Sequence, residues 1–308
     1  TLKKIYLGRF PIMIQSNFCV LNGLSKTSRF NMGECRNDVG GYFIIDGKEK
    51  TIVSQEKFAD NALYIQHVND DKYLYKSVIR SISENVSKPQ RSMFVGMVSP
   101  SPTYSNKNIV IYIPNVRKPI PMCIVFRALG IISDKSIIEH CLLDMDKYSN
   151  MIELFGPSIY DAGLIMTQTS ALKYIATFTK YKTTEHILEI LSDYLLPHIG
   201  ENNFKDKALF LGHMIFRLLR TYMGIDEPTN RDDFKYKRIE LVGTLMYDLF
   251  REYYTIQLRH IHLEFEKRLM LNQSLYEDNI VGLIHQFYPT IFSHRAVEDG
   301  FKKGMKGN

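Results

Sequence analysis

No stretch of this 308-residue chain stays apolar for the roughly 18 residues that a membrane-spanning helix needs. The N-terminal TLKKIYLGRFPIM also lacks the small-residue cleavage site of a secretory signal, so neither a transmembrane helix nor a leader is expected. No segment is strongly one-signed. Residues 1–60 carry 9 basic and 6 acidic side chains, 61–230 carry 18 and 16, and 231–308 carry 12 and 11. The net charge of +6 is therefore spread thinly. That argues against a free-standing nucleic-acid binder held by a basic arm, and leaves room only for a patch assembled in three dimensions. The four cysteines, Cys19, Cys35, Cys123 and Cys141, form no CxxC pair, which points away from a zinc site or a disulfide framework and toward a reducing, intracellular compartment. His260 and His262 stand two apart and face different sides of a helix, whereas a helical zinc pair needs i, i+4; they read as solvated. There is no GxSxG elbow and no His-paired cysteine motif, and Asp144 with Asp146, like Glu264 with Glu266, diverge at a spacing of two. No catalytic residue is indicated.

What is present is an ordinary balance of 45% hydrophobic and 23% charged residues, enough for two domains or one large one. The most telling short stretch is GGYFIIDGKEKTIVSQE, residues 40–56. Tyr42 to Ile45 and Thr51 to Val53 favour a pleated surface, and Asp46-Gly47 supplies the positive φ angles of a tight turn, so a β-hairpin is expected over 41–54. A phosphate-binding loop needs its glycines between a strand and a helix; here Gly40-Gly41 precede a strand and Gly47 sits in the turn. Lys48 and Lys50 are then either solvated or set against something anionic.

Around the hairpin the pattern is mixed. RFPIMIQSNFCVLNGLS reads as an extended segment with a turn at Asn22-Gly23, Lys72 to Ser83 as a strand or a short helix, and MFVGMV, SPSPTYSNKN and IVIYIP as strand, polar loop and strand. Pro119 and Pro121 open a helix, MCIVFRALG, that stops at Gly130, and Ser133-Asp134 cap a second one, SIIEHCLLD. From Thr183 the pattern turns helical: one segment runs to Pro197, and another places Leu211, Ile215, Leu218 and Tyr222 on one face, with His213 beside them in a structural role and Gly224 as a stop. A long helix follows with Leu241, Leu245 and Leu249 apolar, and the last stretch breaks at Pro289 and ends in small and basic residues. The densest charge constellation, Arg231, Asp232, Asp233, Lys237 and Arg238, precedes the long helix and reads first as a salt-bridged loop.

Five collinear stretches carry a resemblance. GGYFIIDGKEKTIVSQE looks like the G-G-Y-F-I-I-N-G-x-E-K-V-x-I-x-Q-E stretch of the second-largest, β-type subunit of multisubunit DNA-directed RNA polymerases. GRFPIMIQSNFCVL with GECRNDVGGYF resembles that family's approach to the hairpin. PIPMCIVFRALG resembles its I-P-I-x-x-x-F-R-A-L-G segment, DKALFLGHMIFRLL its F-L-G-x-M-I helix, and NRDDFKYKRIELVG its D-R-D-x-x-x-x-K-R segment. The match is closer to the eukaryotic, archaeal and viral branch than to the bacterial one. The Ile-, Lys-, Asn- and Tyr-rich composition hints at an AT-rich genome, such as that of a large DNA virus or a protist.

The resemblance implies an α+β fold: part of a protrusion at 1–61, an inserted α+β lobe at 62–235, and a mainly helical return to the protrusion, with a long helix, at 236–308. Starting at Thr1 and stopping before the family's fork region, the chain reads as a segment of a longer subunit. It implies nucleotidyltransferase activity for the assembled enzyme only, with no cofactor in this segment and the magnesium held by the largest subunit. Implied nucleic-acid contacts are Lys50 near the RNA-DNA hybrid, Gln55 and Lys57 at the end of the same strand, and Arg231, Lys237 and Arg238 in the charged loop. Lys57 stands where many members have Arg, and Asp233, Lys235 and Tyr236 stand where His, Gly, and Asn or Lys are common. Implied partners are the largest and small subunits, DNA template and hybrid, and initiation or elongation factors, with no membrane. The setting is the nucleus, or the cytoplasm, virus factory or virion for a viral protein. A non-catalytic protein-interaction module with a related fold is the alternative.

Overall fold

The Asp46-Gly47 turn behaves as its chemistry requires, with φ of 50° and 76° at the two positions. A two-residue turn fixes the register of whatever flanks it, so β1 (Phe43–Ile45) pairs antiparallel with β2 (Lys48–Lys50), Phe43 opposite Lys50 and Ile45 opposite Lys48. The second strand is thus the charged Lys48–Lys50 and not the β-branched Thr51–Val53. Turn geometry outweighs propensity here. These coordinates come from a computed structural model that describes residues 4–85, 88–100, 107–271 and 279–306. Residues 101–106 of the polar loop SPSPTYSNKN, and 272–278, which include the start of the last stretch, lie outside the described residues.

The fold is α+β and divides into two compact units, Thr1–Lys57 with Ile239–Asn308, and Phe58–Arg238. The first unit opens with a run of turns where an extended segment was expected: Ser16, Cys19 and Asn22 each donate a backbone N–H to a carbonyl three residues back, and α1 (Lys26–Asn31) follows, capped by Ser25. After β1 and β2 come β3 (Gln55–Phe58) and later β9 (Lys237–Glu240), which form a two-stranded sheet. The long helix α9 (Val242–Leu271) begins one residue after Leu241, which is 62% exposed and not part of the apolar face expected of it. α10 (Ile280–Ile291) continues through Pro289. That proline lies two residues from the helix end, where a missing N–H forfeits a single late hydrogen bond. The small and basic terminus is itself a helix, α11 (Ala296–Lys306). Its Gly300 and Gly304 let it approach α9 closely: a Cβ at Gly300 would fall 2.2 Å from the Tyr253 ring, and one at Gly304 2.9 Å from Leu249. The core of this unit is Phe43, Val297, Phe301 and Met305, with Met246, Leu249 and Phe250 against it.

The second unit is built on a five-stranded antiparallel sheet in sequence order: β4 (Leu63–Asp70), β5 (Tyr73–Ser81), β6 (Arg91–Val98), β7 (Ile109–Tyr112) and β8 (Ile120–Pro121). Tyr73 to Ser81 is therefore a strand, resolving the strand-or-helix ambiguity. Met93, Val95 and Met97, and Ile109 and Ile111, alternate into the core as period two demands. Helices pack on that face: α2 (Met122–Ala128), α3 (Asp134–Leu142, capped by Ser133 as expected), α4 (Ser149–Ile152), α5 (Gly156–Ala162), α6 (Gln168–Ala176), α7 (Thr184–Asp193) and α8 (Phe204–Tyr222). Leu211, Ile215 and Leu218 of α8 are fully buried, and Gly224 at φ 72° ends it. α7 stops at Asp193, four residues short of Pro197.

Candidate nucleic-acid interface

Within the first unit, β2 carries Lys50 to the C-terminal end of α11. Its ammonium donates to the Lys306 carbonyl at 3.0 Å, where the negative end of the helix dipole favours a cation. Lys306 in turn bridges to Asp46 of the hairpin turn at 3.1 Å, so turn and helix end are clasped together. An ammonium has three donors, and this arrangement uses one of them on the helix. Gln55, at the start of β3, shares with Lys50 a cavity of about 510 Å³ whose floor is Ile52, Leu245, Met246 and Leu249. Lys57 is engaged with Glu240 at 3.1 Å.

The second unit holds the rest. Phe58 forms a platform: the Lys237 ammonium lies 4.1 Å from its ring centroid and the Arg231 guanidinium 4.4 Å. Lys237 also reaches Asp232 at 3.8 Å, and Asp233 pairs with Lys235 at 3.2 Å while capping the 3-10 turn Phe234–Tyr236. The expected salt-bridged loop therefore exists. Arg238 donates from Nη1 to the carbonyls of Lys235 and Lys237 at 3.1 and 2.8 Å. Arg231 and Lys237 are brought together on one ring, and Lys50 and Gln55 on one cavity. Lys57 and Arg238 each spend donors on their own surroundings. Phe58 and Arg80, whose guanidinium lies 5.6 Å from the same ring, were not read from the sequence. Gln55 and Lys57 thus lie on β3 and not on the hairpin strand that carries Lys50, and the available signal was an aromatic residue directly after Gln55-Glu56-Lys57.

Several other residues of the five collinear stretches are structural. Arg127 of FRALG is 1% exposed; Nη2 meets Asp134 at 2.6 Å, Nη1 donates to the Ile165 carbonyl and Nε to that of Ile132 at 3.4 Å. A charge so deeply placed persists because it is paired and hydrogen-bonded. Gly212 of FLG sits where α8 crosses α3: a Cβ there would lie 2.3 Å from the His140 carbonyl oxygen. Lys207, about one turn before Leu211 and three before Leu218 on the same apolar stripe, is fully buried and donates to the carbonyls of Leu191, Ser192 and Glu201 at 2.8, 2.7 and 3.1 Å, capping the end of α7. Burial pulls its pKa down to about 8, with Asp193 and Glu201 opposing, so it is charged at neutral pH.

Ahead of the hairpin, Asp38 organises GGYF. Its carboxylate accepts from the Tyr42 hydroxyl at 2.6 Å and the Gly40 N–H at 2.8 Å. Those bonds hold its pKa below the usual carboxylate range and push the Tyr42 phenol up to about 12. Gly40 has φ 71°, and a Cβ there would meet the Ile14 carbonyl oxygen at 2.5 Å, so only glycine fits at this place. His260 is not simply solvated: it is half-buried and stacks on His294 at 4.2 Å, while His262 pairs with Glu266 at 3.6 Å. Cys123 and Cys141 are buried, which raises their thiol pKa values, to about 12 for Cys123. No described helix is long and apolar enough to cross a membrane.

The polymerase II subunit 2 of Arabidopsis thaliana is 38% identical over 260 residues, which is 80% of this chain and 22% of that protein. The polymerase II subunit RPB2 of Schizosaccharomyces pombe is 36% identical over 279 residues, 88% of this chain and 23% of the relative. The archaeal polymerase subunit Rpo2N of Methanothermobacter thermautotrophicus is 30% identical over 292 residues, 87% of this chain and 55% of the relative. The chain thus spans less than a quarter of the length of the two eukaryotic relatives. A family model described as RNA polymerase beta subunit matches residues 1–284, and the chain belongs to that family.

Proposed function

We propose that this chain is the protrusion-and-lobe portion of the second-largest subunit of a DNA-directed RNA polymerase, lining one wall of the DNA cleft and touching nucleic-acid backbone. The observation that carries the proposal is the family match over residues 1–284, joined by relatives whose names are those of polymerase subunits. Residues 58–238 then correspond to the lobe, and the unit formed by 1–57 and 239–308 to the protrusion. Lys50 is the leading contact. Clasped at the end of α11, its ammonium has two further donors for a phosphate oxygen, a contact that positions a backbone without reading sequence. Gln55 beside it, and Arg231 and Lys237 on the Phe58 ring, extend the contact surface, with Lys57 and Arg238 contributing positive charge around it.

In this reading the segment carries no catalytic residue, and the magnesium of the assembled enzyme is held by the largest subunit. The segment's partners are the largest and small subunits, the template and RNA-DNA hybrid, and transcription factors. Its setting is the nucleus, or the cytoplasm, virus factory or virion for a virus-encoded enzyme.

The test is made in the assembled polymerase. Lys50→Ala should leave assembly intact, lower processivity and lessen the dependence of elongation-complex stability on salt, because one phosphate contact is lost. An enzyme that transcribes with unchanged processivity and salt dependence would remove Lys50 from the interface, and failure of the chain to assemble with the other subunits would sink the proposal as a whole.

A further inference from the structure

One turn in the second unit holds a leucine almost wholly in solvent. Leu164 is 98% exposed and Tyr160, four residues earlier, 84%, while Met166 and Ile132 are each about half exposed. Their sequence neighbours Ile131, Ile159 and Ile165 pack against the core, so the chain here sends apolar side chains in two directions. Tyr160 and Gly156 lie on one face of α5, four residues apart, and a Cβ at Gly156 would meet nothing within 4 Å. That face of the helix is open.

The outward set is pinned in place. The buried Arg127 guanidinium donates to the Ile165 carbonyl and, at 3.4 Å, to the Ile132 carbonyl, which makes the two backbone segments neighbours and sets Ile132 beside Leu164 and Met166. Asp134 holds the same guanidinium at 2.6 Å, and Gln168 ties the far end of the loop to the Ala128 carbonyl at 3.2 Å. The N–H groups of Gly163 and Ile165 close the turn on the carbonyls of Tyr160 and Ala162. Single exposed apolar residues are ordinary, but several held together by a rigid scaffold mark an interaction site, and a pinned surface loses little freedom on binding.

Charge selects the partner. Residues 131–170 carry six acidic and two basic side chains, in a chain whose net charge is +6. Asp134 is engaged by Arg127, and Glu139 lies 3.8 Å from Lys135. Glu153, in the 3-10 turn (Glu153–Phe155) that leads into α5, and Asp161, next to Tyr160, are exposed at the patch. Such a rim repels phosphates and attracts lysine or arginine. The patch is made of a helix and loops and offers no strand edge for an extended peptide to join, so the shape that fits it is a helix laying down an apolar stripe.

We infer that Tyr160, Leu164, Met166 and Ile132, rimmed by Glu153 and Asp161, form a docking surface for an amphipathic helix of another polypeptide, one whose apolar stripe is flanked by lysine or arginine. Tyr160 and Leu164 are its anchors, and the two carboxylates steer the approach. This surface stands on exposure and charge, whether or not the chain lines a DNA cleft.

The experiment follows, by anisotropy, the binding of a fluorescein-labelled peptide of leucine and lysine, patterned as an amphipathic helix, to the full chain. Thermal unfolding checks that each variant is folded, as exposed substitutions should leave it. Tyr160→Ser and Leu164→Ser should each weaken binding about tenfold or more. Glu153→Gln combined with Asp161→Asn should weaken it several-fold and flatten its dependence on salt. A peptide with glutamate in place of lysine should not bind. In the assembled enzyme, a benzophenone amino acid at Met166 should crosslink to a segment of a different polypeptide that mass spectrometry identifies as apolar and basic. A wild type that does not bind the leucine-lysine peptide, or folded variants that bind it unchanged, would overturn the surface. So would a DNA duplex whose binding is lost in Leu164→Ser, a self-association in sedimentation that Leu164→Ser abolishes, or a crosslink that falls within the same subunit. Because the polymerase role is tested by assembly and by Lys50, the docking surface can fail while that role stands.

Discussion

Replacing Gly212 by alanine tests the closest helix contact in the second unit. Inside an exposed helix the change would stabilise, because glycine costs about 1 kcal/mol relative to alanine. At Gly212 the new Cβ would stand 2.3 Å from the His140 carbonyl oxygen, 2.9 Å from its carbon and 3.2 Å from the Cys141 Cα. These are backbone atoms of α3 and cannot rotate away. The helices must separate, and the residues around the crossing, Ile137, Cys141 and Leu142 on α3 and Leu211 and Ile215 on α8, are all at most 2% exposed, so separation opens packed surface. Overpacking of this kind costs typically up to about 3 kcal/mol, leaving a net loss of about 2 kcal/mol after the propensity gain. For a unit of this size that is a fall in Tm of roughly 4–8 °C. Circular dichroism and tyrosine fluorescence suit the measurement, since the chain has no tryptophan. Gly156→Ala, where a Cβ would meet nothing within 4 Å, is the control and should be neutral within about 0.5 kcal/mol. A Gly212→Ala protein as stable as the wild type would refute the contact.

The remaining expectations concern groups whose chemistry is set by burial or by one partner. Arg127→Met should cost about 3 kcal/mol in urea unfolding, because two carbonyls lose their donor while the 37%-exposed Asp134 regains water; a loss under about 1 kcal/mol would mean that the buried guanidinium is dispensable. His198 and His213 have pKa values held below the ordinary histidine value, by burial first and then by Lys207 and Arg217 respectively. The unfolded chain therefore binds protons near pH 6.5 that the folded one refuses, so stability should fall as pH drops through about 6.5 and level off below the folded values. A His198→Asn, His213→Gln double variant should show a shallower fall in Tm between about pH 7 and 5, and an identical profile would contradict the assignment. In ultraviolet titration one tyrosine should resist ionisation to about pH 12, and Asp38→Ala should return it to the range of the others; if the variant's titration matches the wild type, the Asp38–Tyr42 clasp is wrong.

Features with a local cause were legible in the sequence. The hairpin turn at Asp46-Gly47, the Ser133 cap of α3 and the stop of α8 at Gly224 each follow from the φ or hydrogen-bonding habit of one or two residues. The apolar stripe of α8 follows from period. Features with a distant cause were missed or misplaced. Lys48–Lys50 became a strand because the turn dictated its register. The N-terminal segment folded into turns because their hydrogen bonds are made one three-residue step at a time, which alternation does not reveal. α6 carries a Thr167–Ser170 capping box, a readable signal that was not used.

The candidate interface divides in the same way. Lys50, Arg231, Lys237 and their neighbours could be named from motif positions, but charge and spacing alone left each of them as plausible in water as against a phosphate. By itself the sequence determined the class of the fold, the positions of its tightest turns and caps, and, through five collinear motifs, the family. Only the tertiary structure decided which of the charges in those motifs serve the core and which face outward. Arg127 and Lys207 are sealed inside by carbonyls contributed from other elements, whereas Arg80, twenty-two residues beyond Phe58 in the chain, meets Arg231 and Lys237 on that residue's ring. The physical reason is that burial and electrostatic environment are properties of space, and the groups that set them for any one side chain arrive from strands and helices far away along the chain.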